Sequence, residues 1–261
     1  MNILDNLVDV KIKNDMGIYG FTDEFFCVYL YNLFNKTNKS LLVVCDSINE
    51  ANNIYSSLSN YLDDICLYPM DDFLMSEAIA ISPDLLMSRL ETINHLVNNE
   101  KKIVICNLTA YLRFLPNVDT YNDLILKLRV GEEYDFNKLK EQLFLLGYKQ
   151  DSIVDKTGES AVRGFIIDVF PVFDEHPVRI EFFGEEIESI RYFSETSQRS
   201  LEEIDSITIY PCTDFLSLNS IDDDKLFKQK YLPEIENVNS IGDYIDGIVV
   251  YKDYNLLKSS Y

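Results

Sequence analysis

The chain has 261 residues, 47% of them hydrophobic, enough for one large domain or two to three small ones with a sizeable core. Its formal net charge of -21 disfavours a nucleic-acid surface, because phosphate binding relies on Lys and Arg to neutralise the backbone. No apolar run approaches the ~20 residues a membrane span needs, and the opening MNILDNLVDVKIKND shows neither a basic leader nor a continuous apolar stretch.

The first 116 residues alternate strand and helix. LLVVC, Leu41 to Cys45, is a short apolar run of the kind buried in a parallel sheet. Ser47 followed by Glu50 is a capping-box pattern, and it opens a helix with Ile54, Leu58 and Leu62 on one stripe. Ile65 to Tyr68 is the next strand. Ser82-Pro83 starts a helix with Leu86, Leu90, Ile93 and Leu96 as its inner face. Ile103 to Cys106 is a further strand. Strands separated by helices imply a parallel α/β layer.

The pattern then changes. Leu124 to Val130 is a predicted strand. Asp135 caps a helix whose Leu139, Leu143 and Leu146 face inward and which Gly147 ends. From about Val162 to Phe193 strands follow one another without room for helices, which predicts antiparallel hairpins against one helix. Ile207 to Tyr210 is another strand, placed back on the first layer. Asp214 to Lys230 is polar and acidic, a loop or weak helix, and Gly247 to Tyr251 is a last strand. The ending KSSY, so soon after that strand, predicts that the chain is a piece of a longer one.

Cys27, Cys45, Cys66, Cys106 and Cys212 show no metal-ligand spacing, and there are only two histidines. Cys45, Cys66 and Cys106 lie in or beside apolar strands, where a free thiol acts as a small hydrophobe. These features predict a reduced, cytoplasmic protein without a metal, disulfide framework or cofactor. His95 on a helix and His176 in the turn DEHP are read as structural or solvent-facing, and no catalytic residue is assigned.

A nucleoside-triphosphatase on a parallel sheet needs a glycine-rich loop before a helix, with a Lys on the phosphates and a Ser or Thr on magnesium. The candidate is Gly17-Ile18-Tyr19-Gly20-Phe21-Thr22, which has two glycines and a threonine but no lysine. Asp23 and Glu24 put negative charge where phosphate would sit. Gly17, Gly20 and Thr22 are therefore expected to form a vestigial phosphate loop that caps a helix. Neither ATP nor DNA is expected to bind.

The stretch from Gly158 to Ser200 carries more. In Val178 to Phe183, side chains alternate along a strand, so Val178, Ile180 and Phe182 share the core face and Arg179, Glu181 and Phe183 the other. Gly184-Glu185 suits a type II′ turn. Phe183 is then an outward aromatic beside an arginine, a pairing concentrated at interface hot spots. The residues alone leave open that Phe183 packs under a neighbouring loop and that Arg179 offsets nearby carboxylates. This register sets Glu181 opposite Glu188, an unfavourable pair. Alternation puts Arg163 on the face of Phe165, Ile167 and Val169 unless Gly164 carries a bulge that turns it outward.

AVRGFIIDVFP, VRIEFFGEEIESIRYF and SQRSLEEID closely resemble domain 2 of the transcription-repair coupling factor family, Mfd, and less closely the excision-repair protein UvrB. YPMDDFLMSEAIAISPDLLMSRLETINHL and IVICNLTAYLRFLP resemble the family's first domain, and the likeness covers nearly all of residues 10 to 215. UvrB has an intact phosphate loop and a DNA-gripping hairpin. This chain has neither, only the short acidic segment Asp71 to Ser82 at the hairpin's place, and the coupling factors share both losses. The resemblance implies a non-enzymatic module that recruits UvrA, the damage-recognition ATPase. Its UvrA-contacting residues match Arg163, Arg179 and Phe183. Other domains of the full-length protein, one of them binding RNA polymerase, would lie elsewhere. The expected fold is α/β: residues 1–116 form a degenerate helicase-like parallel layer (domain 1a), 117–206 an inserted α+β domain of antiparallel sheet plus helix (domain 2), and 207–261 start domain 1b. Fragment of a UvrB-type helicase is the alternative from the enzyme class. A purely structural domain of a larger chain is the third reading.

Overall fold

The computed structural model describes residues 10, 16–71, 82–219 and 229–260. Two compact units form, Met1–Arg113 with Asn239–Tyr261, and Phe114–Val238. The elements run α1 (Asp23–Thr37), β1 (Ser40–Cys45), α2 (Ile48–Leu58), β2 (Ile65–Tyr68), α3 (Pro83–Val97), β3 (Ile103–Asn107) and α4 (Leu108–Tyr111). After these come β4 (Leu115–Pro116), α5 (Val118–Leu124), β5 (Leu126–Arg129), α6 (Phe136–Leu145), β6 (Lys149–Gln150), β7 (Glu159–Arg163) and β8 (Ile166–Val169). The series closes with β9 (Val178–Phe183), β10 (Glu186–Phe193), β11 (Ser200–Glu203), β12 (Ser206–Ile209), α7 (Leu232–Ile235), β13 (Val238–Asn239), β14 (Gly247–Tyr251) and α8 (Tyr254–Ser260).

In the first unit the sheet order is β14-β1-β3-β2, all parallel. The two central strands are apolar throughout because helices cover both faces: Leu41 to Cys45 and Ile103 to Cys106 are each fully buried. On one face Phe26, Leu30 and Phe34 of α1 and Ala51, Ile54 and Leu58 of α2 pack with Leu41, Val43 and Ile105. Ser47 caps α2 as expected, its hydroxyl accepting from the Glu50 amide at 3.3 Å. Glu50, however, reaches back to the Asp46 amide at 3.1 Å, one residue before the cap. Pro83 opens α3, whose Leu90, Ile93 and Leu96 are buried while Leu86 is half-buried. A Cβ on Gly247 would stand 2.1 Å from the Ser40 carbonyl oxygen, so only glycine lets β14 start this close to β1.

The second unit holds the sheet β11-β10-β9-β8-β7-β6, antiparallel except for the short β6 beside β7. Helix α6 is capped by Asp135, whose carboxylate accepts from the Lys138 amide at 2.9 Å, and it buries Leu139 and Leu143. The Phe136 ring at its start stands edge-on to Phe182 of β9 at 5.3 Å, which places α6 on the sheet face of Phe182. Two expectations are corrected here. Leu124 ends helix α5, which Asn117 caps by accepting from the Thr120 amide, and the strand begins only at Leu126. The strand Ser206–Ile209 does not return to the parallel layer; it pairs antiparallel with β5, Ile207 opposite Leu128. Residues 207–238 accordingly fall in the second unit. Most of the acidic segment Asp71 to Ser82, and part of Asp214 to Lys230, lie outside the described residues. Among the described residues no helix is long and apolar enough to cross a membrane.

Candidate functional site

The site is the face of the six-stranded sheet opposite α6. Its position follows from the alternation of β9: Val178, Ile180 and Phe182 are buried, Arg179 and Glu181 are half-buried, and Phe183 is 77% exposed. Register supplies the neighbours. Arg179 lies between Asp168 of β8 and Arg191 of β10, Glu181 between Ile166 and Ser189, and Phe183 opposite Glu186. Two tight hairpins end these strands on one edge. Gly184, at φ +67°, opens a two-residue turn between Phe183 and Glu186 and leaves Phe183 at the tip.

Arg179 is the best-held group on the face. Its Nε donates to Asp168 Oδ1 at 2.7 Å and its Nη2 to Oδ2 at 2.8 Å, a two-pronged contact with a carboxylate that is itself 1% exposed. The guanidinium lies over the Phe193 ring, 4.6 Å from its centroid. The hydrogen bonds to Asp168 raise the pKa of Arg179 above its ordinary value, against the opposing pull of burial. Arg179 lies on the outward face that alternation assigns it, and of the two readings the residues left open for it, the offsetting of a nearby carboxylate is present in its pair with Asp168. Two like charges directly opposite across strands are unfavourable, and Arg191 faces Arg179. Glu181 resolves this, pairing with Arg191 Nη2 while accepting from Ser189 Oγ at 3.0 Å. The expected clash of Glu181 with Glu188 does not arise, because a bulge between Ile187 and Ser189 brings Ser189 opposite Glu181.

Arg163, at the end of β7, is exposed and opposite Ile166, which is opposite Glu181. It therefore shares the face of Arg179 and Phe183, two strands over from β9, or about 10 Å at the usual strand spacing. Its Nη2 donates to the Ser152 carbonyl at 3.0 Å. Among the described residues no carboxylate lies within ion-pair reach of it. Gly164, at φ +61°, does not carry a bulge. It opens a two-residue turn between Arg163 and Ile166, and that turn resets the alternation. Phe165 sits in the turn, 66% exposed, its ring 6.1 Å from that of Phe136 on α6.

The sequence reading missed Asp168, Glu181, Arg191 and Phe193 as parts of the site. A signal for the first was present: a carboxylate inside the apolar run FIIDVF must find a partner if the strand is buried on both faces.

Residues 126–215, which include every group just described, match the family model described as the UvrB interaction domain. The transcription-repair-coupling factor of Bacillus subtilis (strain 168) is 35% identical over 191 residues, 72% of this chain and 16% of that protein. Those of Staphylococcus epidermidis (strain RP62A) and Staphylococcus haemolyticus (strain JCSC1435) are 29% and 31% identical over 84% and 82% of the chain. The chain belongs with the transcription-repair coupling factors. It spans less than a fifth of the length of these coupling factors, 16% to 19%.

In this coupling-factor chain the other candidate groups fall in the first unit. Gly17 and Gly20 lie in the exposed segment before α1, and Thr22 caps that helix by accepting from the Phe25 amide at 3.3 Å. No strand among the described residues leads into this segment. Among the described residues the first turn from a parallel strand into a helix is that between β1 and α2, at Asp46 and Ser47. There the Glu50 carboxylate already takes the Asp46 amide, and Lys252 Nζ lies 2.8 Å from both Glu50 and Asp23. Burial opposes the Lys252 charge, but its hydrogen bonds to the two carboxylates outweigh burial and raise its pKa. Calorimetry with ATP and magnesium should show no saturable heat, since the phosphates would meet carboxylates; micromolar binding would overturn this.

His95 contacts Glu100 at 2.9 Å and His176 lies 3.6 Å from Glu195, both half-exposed. All five cysteines are free, and burial raises Cys45 and Cys212 to about 12, Cys66 to about 11, and Cys27 and Cys106 as well. At pH 8 thiolate is then scarce, below about one in a thousand for a thiol of pKa 11 or more. Iodoacetamide at pH 8 should leave the folded chain largely unmodified and label all five thiols in urea. Rapid labelling of Cys27, Cys45, Cys66 or Cys106 without urea would show that the first unit opens. Above the pKa of an unfolded thiol, the unfolded chain loses protons that the folded one keeps, so stability should fall as pH rises past about 9.

Proposed function

We propose that the chain is a non-catalytic recruiting module that binds UvrA through the sheet face bearing Arg163, Arg179 and Phe183, so linking a transcription-repair coupling factor to excision repair. The observation that carries this reading is Phe183, a large aromatic 77% exposed at a hairpin tip within the UvrB interaction domain. A rigid ring offers much apolar area at little entropic cost, and aromatics and arginines dominate interface hot spots. Recruitment requires only contacts, with no bond made or broken. Binding of RNA polymerase and of the remaining domains is assigned to the rest of the full-length protein, outside this chain.

The test is capture of purified UvrA on the immobilised chain, with affinity measured across salt concentrations. Arg163 is the cation of this face that lacks a carboxylate partner among the described residues, so its charge is open to an acidic group on UvrA. Arg163→Ala should weaken binding about tenfold or more and flatten its salt dependence. The melting temperature should stay nearly unchanged, since the loss is one exposed hydrogen bond to Ser152. Absence of UvrA capture by the parent chain would leave it a purely structural domain.

A further inference from the structure

The arginine of the site that binds through a planar fork is not free to choose its own orientation. Asp168 takes Nε and one edge of Nη2, and the Phe193 ring covers one face of the plane. Arginine has five N–H groups in a fixed plane. With two of them spent on Asp168, those remaining on Nη1 and on the outer edge of Nη2 point away from the carboxylate within that same plane. The side chain keeps 15% exposure. Across the strand Arg191 would repel it, but Glu181 holds Arg191 in its own pair.

We propose that Asp168 is a positioning residue of the partner-binding face: it never touches the partner, but it locks the Arg179 guanidinium so that its outer edge is presented ready-ordered on the face that also carries Phe183. This rests on the reading of the face as the UvrA site and adds to it how one contact is set. It also names the chemistry that Arg179 meets. Asp168 has already balanced its charge, so the acceptor on the partner needs no charge, and a backbone carbonyl or side-chain amide suffices. Arg163 is left as the group that meets a carboxylate. Ordering a long side chain before binding removes a cost otherwise met during association.

The experiment measures affinity for UvrA in a double-mutant cycle on the full 261-residue chain, with melting temperature recorded for each variant. Asp168→Asn keeps the shape and one acceptor oxygen but loses the charge and the second prong. It should weaken binding at least tenfold in the parent background. It should weaken it by the same factor in a Phe183→Ala background, because Phe183 is a separate contact. In an Arg179→Lys background it should have less than a twofold effect, because the ammonium has no fork for Asp168 to set. A role confined to stability would give equal factors in all three backgrounds, and that result overturns the proposal. Arg179→Lys alone supplies a test that does not depend on how Asp168→Asn folds: it retains the charge opposite Asp168 and should still bind at least fivefold worse than the parent. If Arg179→Lys binds as the parent does, the fork is not used and the proposal falls. A parent chain that does not bind UvrA removes the functional reading and this proposal together. A parent that binds, is weakened by Phe183→Ala and is indifferent to Asp168→Asn removes this proposal alone.

Discussion

Phe183→Ala is expected to weaken UvrA binding about thirtyfold or more, the ~2 kcal/mol that marks a hot-spot truncation, while the melting temperature stays within experimental error of the parent. Both parts follow from one position. At 77% exposure the ring removes little apolar surface from water in the free chain, so its loss costs the fold little. The same ring standing clear of a hairpin tip is what a partner's apolar pocket can enclose. Isothermal titration against UvrA and thermal unfolding of the same samples check it. A fall in stability of ~3 kcal/mol, the size expected for a core Phe, would mean that Phe183 is packed in solution and that the site lacks its anchor.

Arg179→Ala is expected to behave differently, and more severely for the fold. Truncation leaves the Asp168 carboxylate, 1% exposed, with neither of its two guanidinium hydrogen bonds. Breaking a buried ion pair from one side costs about 3 kcal/mol, which lowers the melting temperature of a domain of ~100 residues by on the order of 10 °C. Loss of UvrA binding by this variant would then mix two causes. An unchanged melting temperature would mean that Asp168 is satisfied without Arg179 and that the pair is not the clamp described above. Sequence alternation alone points to a harmless surface truncation here. It fails because the face that strand period assigns to solvent is, at this position, roofed by its own side chains.

That failure marks the limit of what was legible. Local order was written locally: the apolar runs at Leu41 and Ile103 gave parallel strands, and Ser47, Pro83 and Asp135 began helices where their side chains can satisfy or spare the first amides. The inside–outside division of Val178 to Phe183 followed from period two. Partners across strands did not follow, since they depend on register, and a one-residue bulge exchanges every pairing beyond it. Glu181 therefore meets Ser189 and Arg191 rather than Glu188. The turn at Gly164 shows the same limit: period counting through it gave the wrong face for Arg163 because a two-residue hairpin breaks the count. The pairing of Ser206–Ile209 with β5 was also a long-range choice, between sequences some eighty residues apart.

Among the described residues the parallel sheet ends on β14, whose partner β1 lies roughly two hundred residues earlier in the chain. During synthesis, which runs at about 5–20 residues per second, all of Phe114–Val238 emerges from the ribosome before Gly247 does. The antiparallel unit can close on its own hairpins in that interval, which for residues 114 to 247 is on the order of ten seconds. For the same interval β1 has an open edge of apolar strand, Ser40 to Val44, with hydrogen-bonding groups that nothing later than Asn107 has yet covered. Such an edge is a template for pairing with another nascent chain. The parallel sheet is thus more exposed than the antiparallel one while the chain is being made, and the order of emergence gives β14 the role of closing protection for the β1 edge.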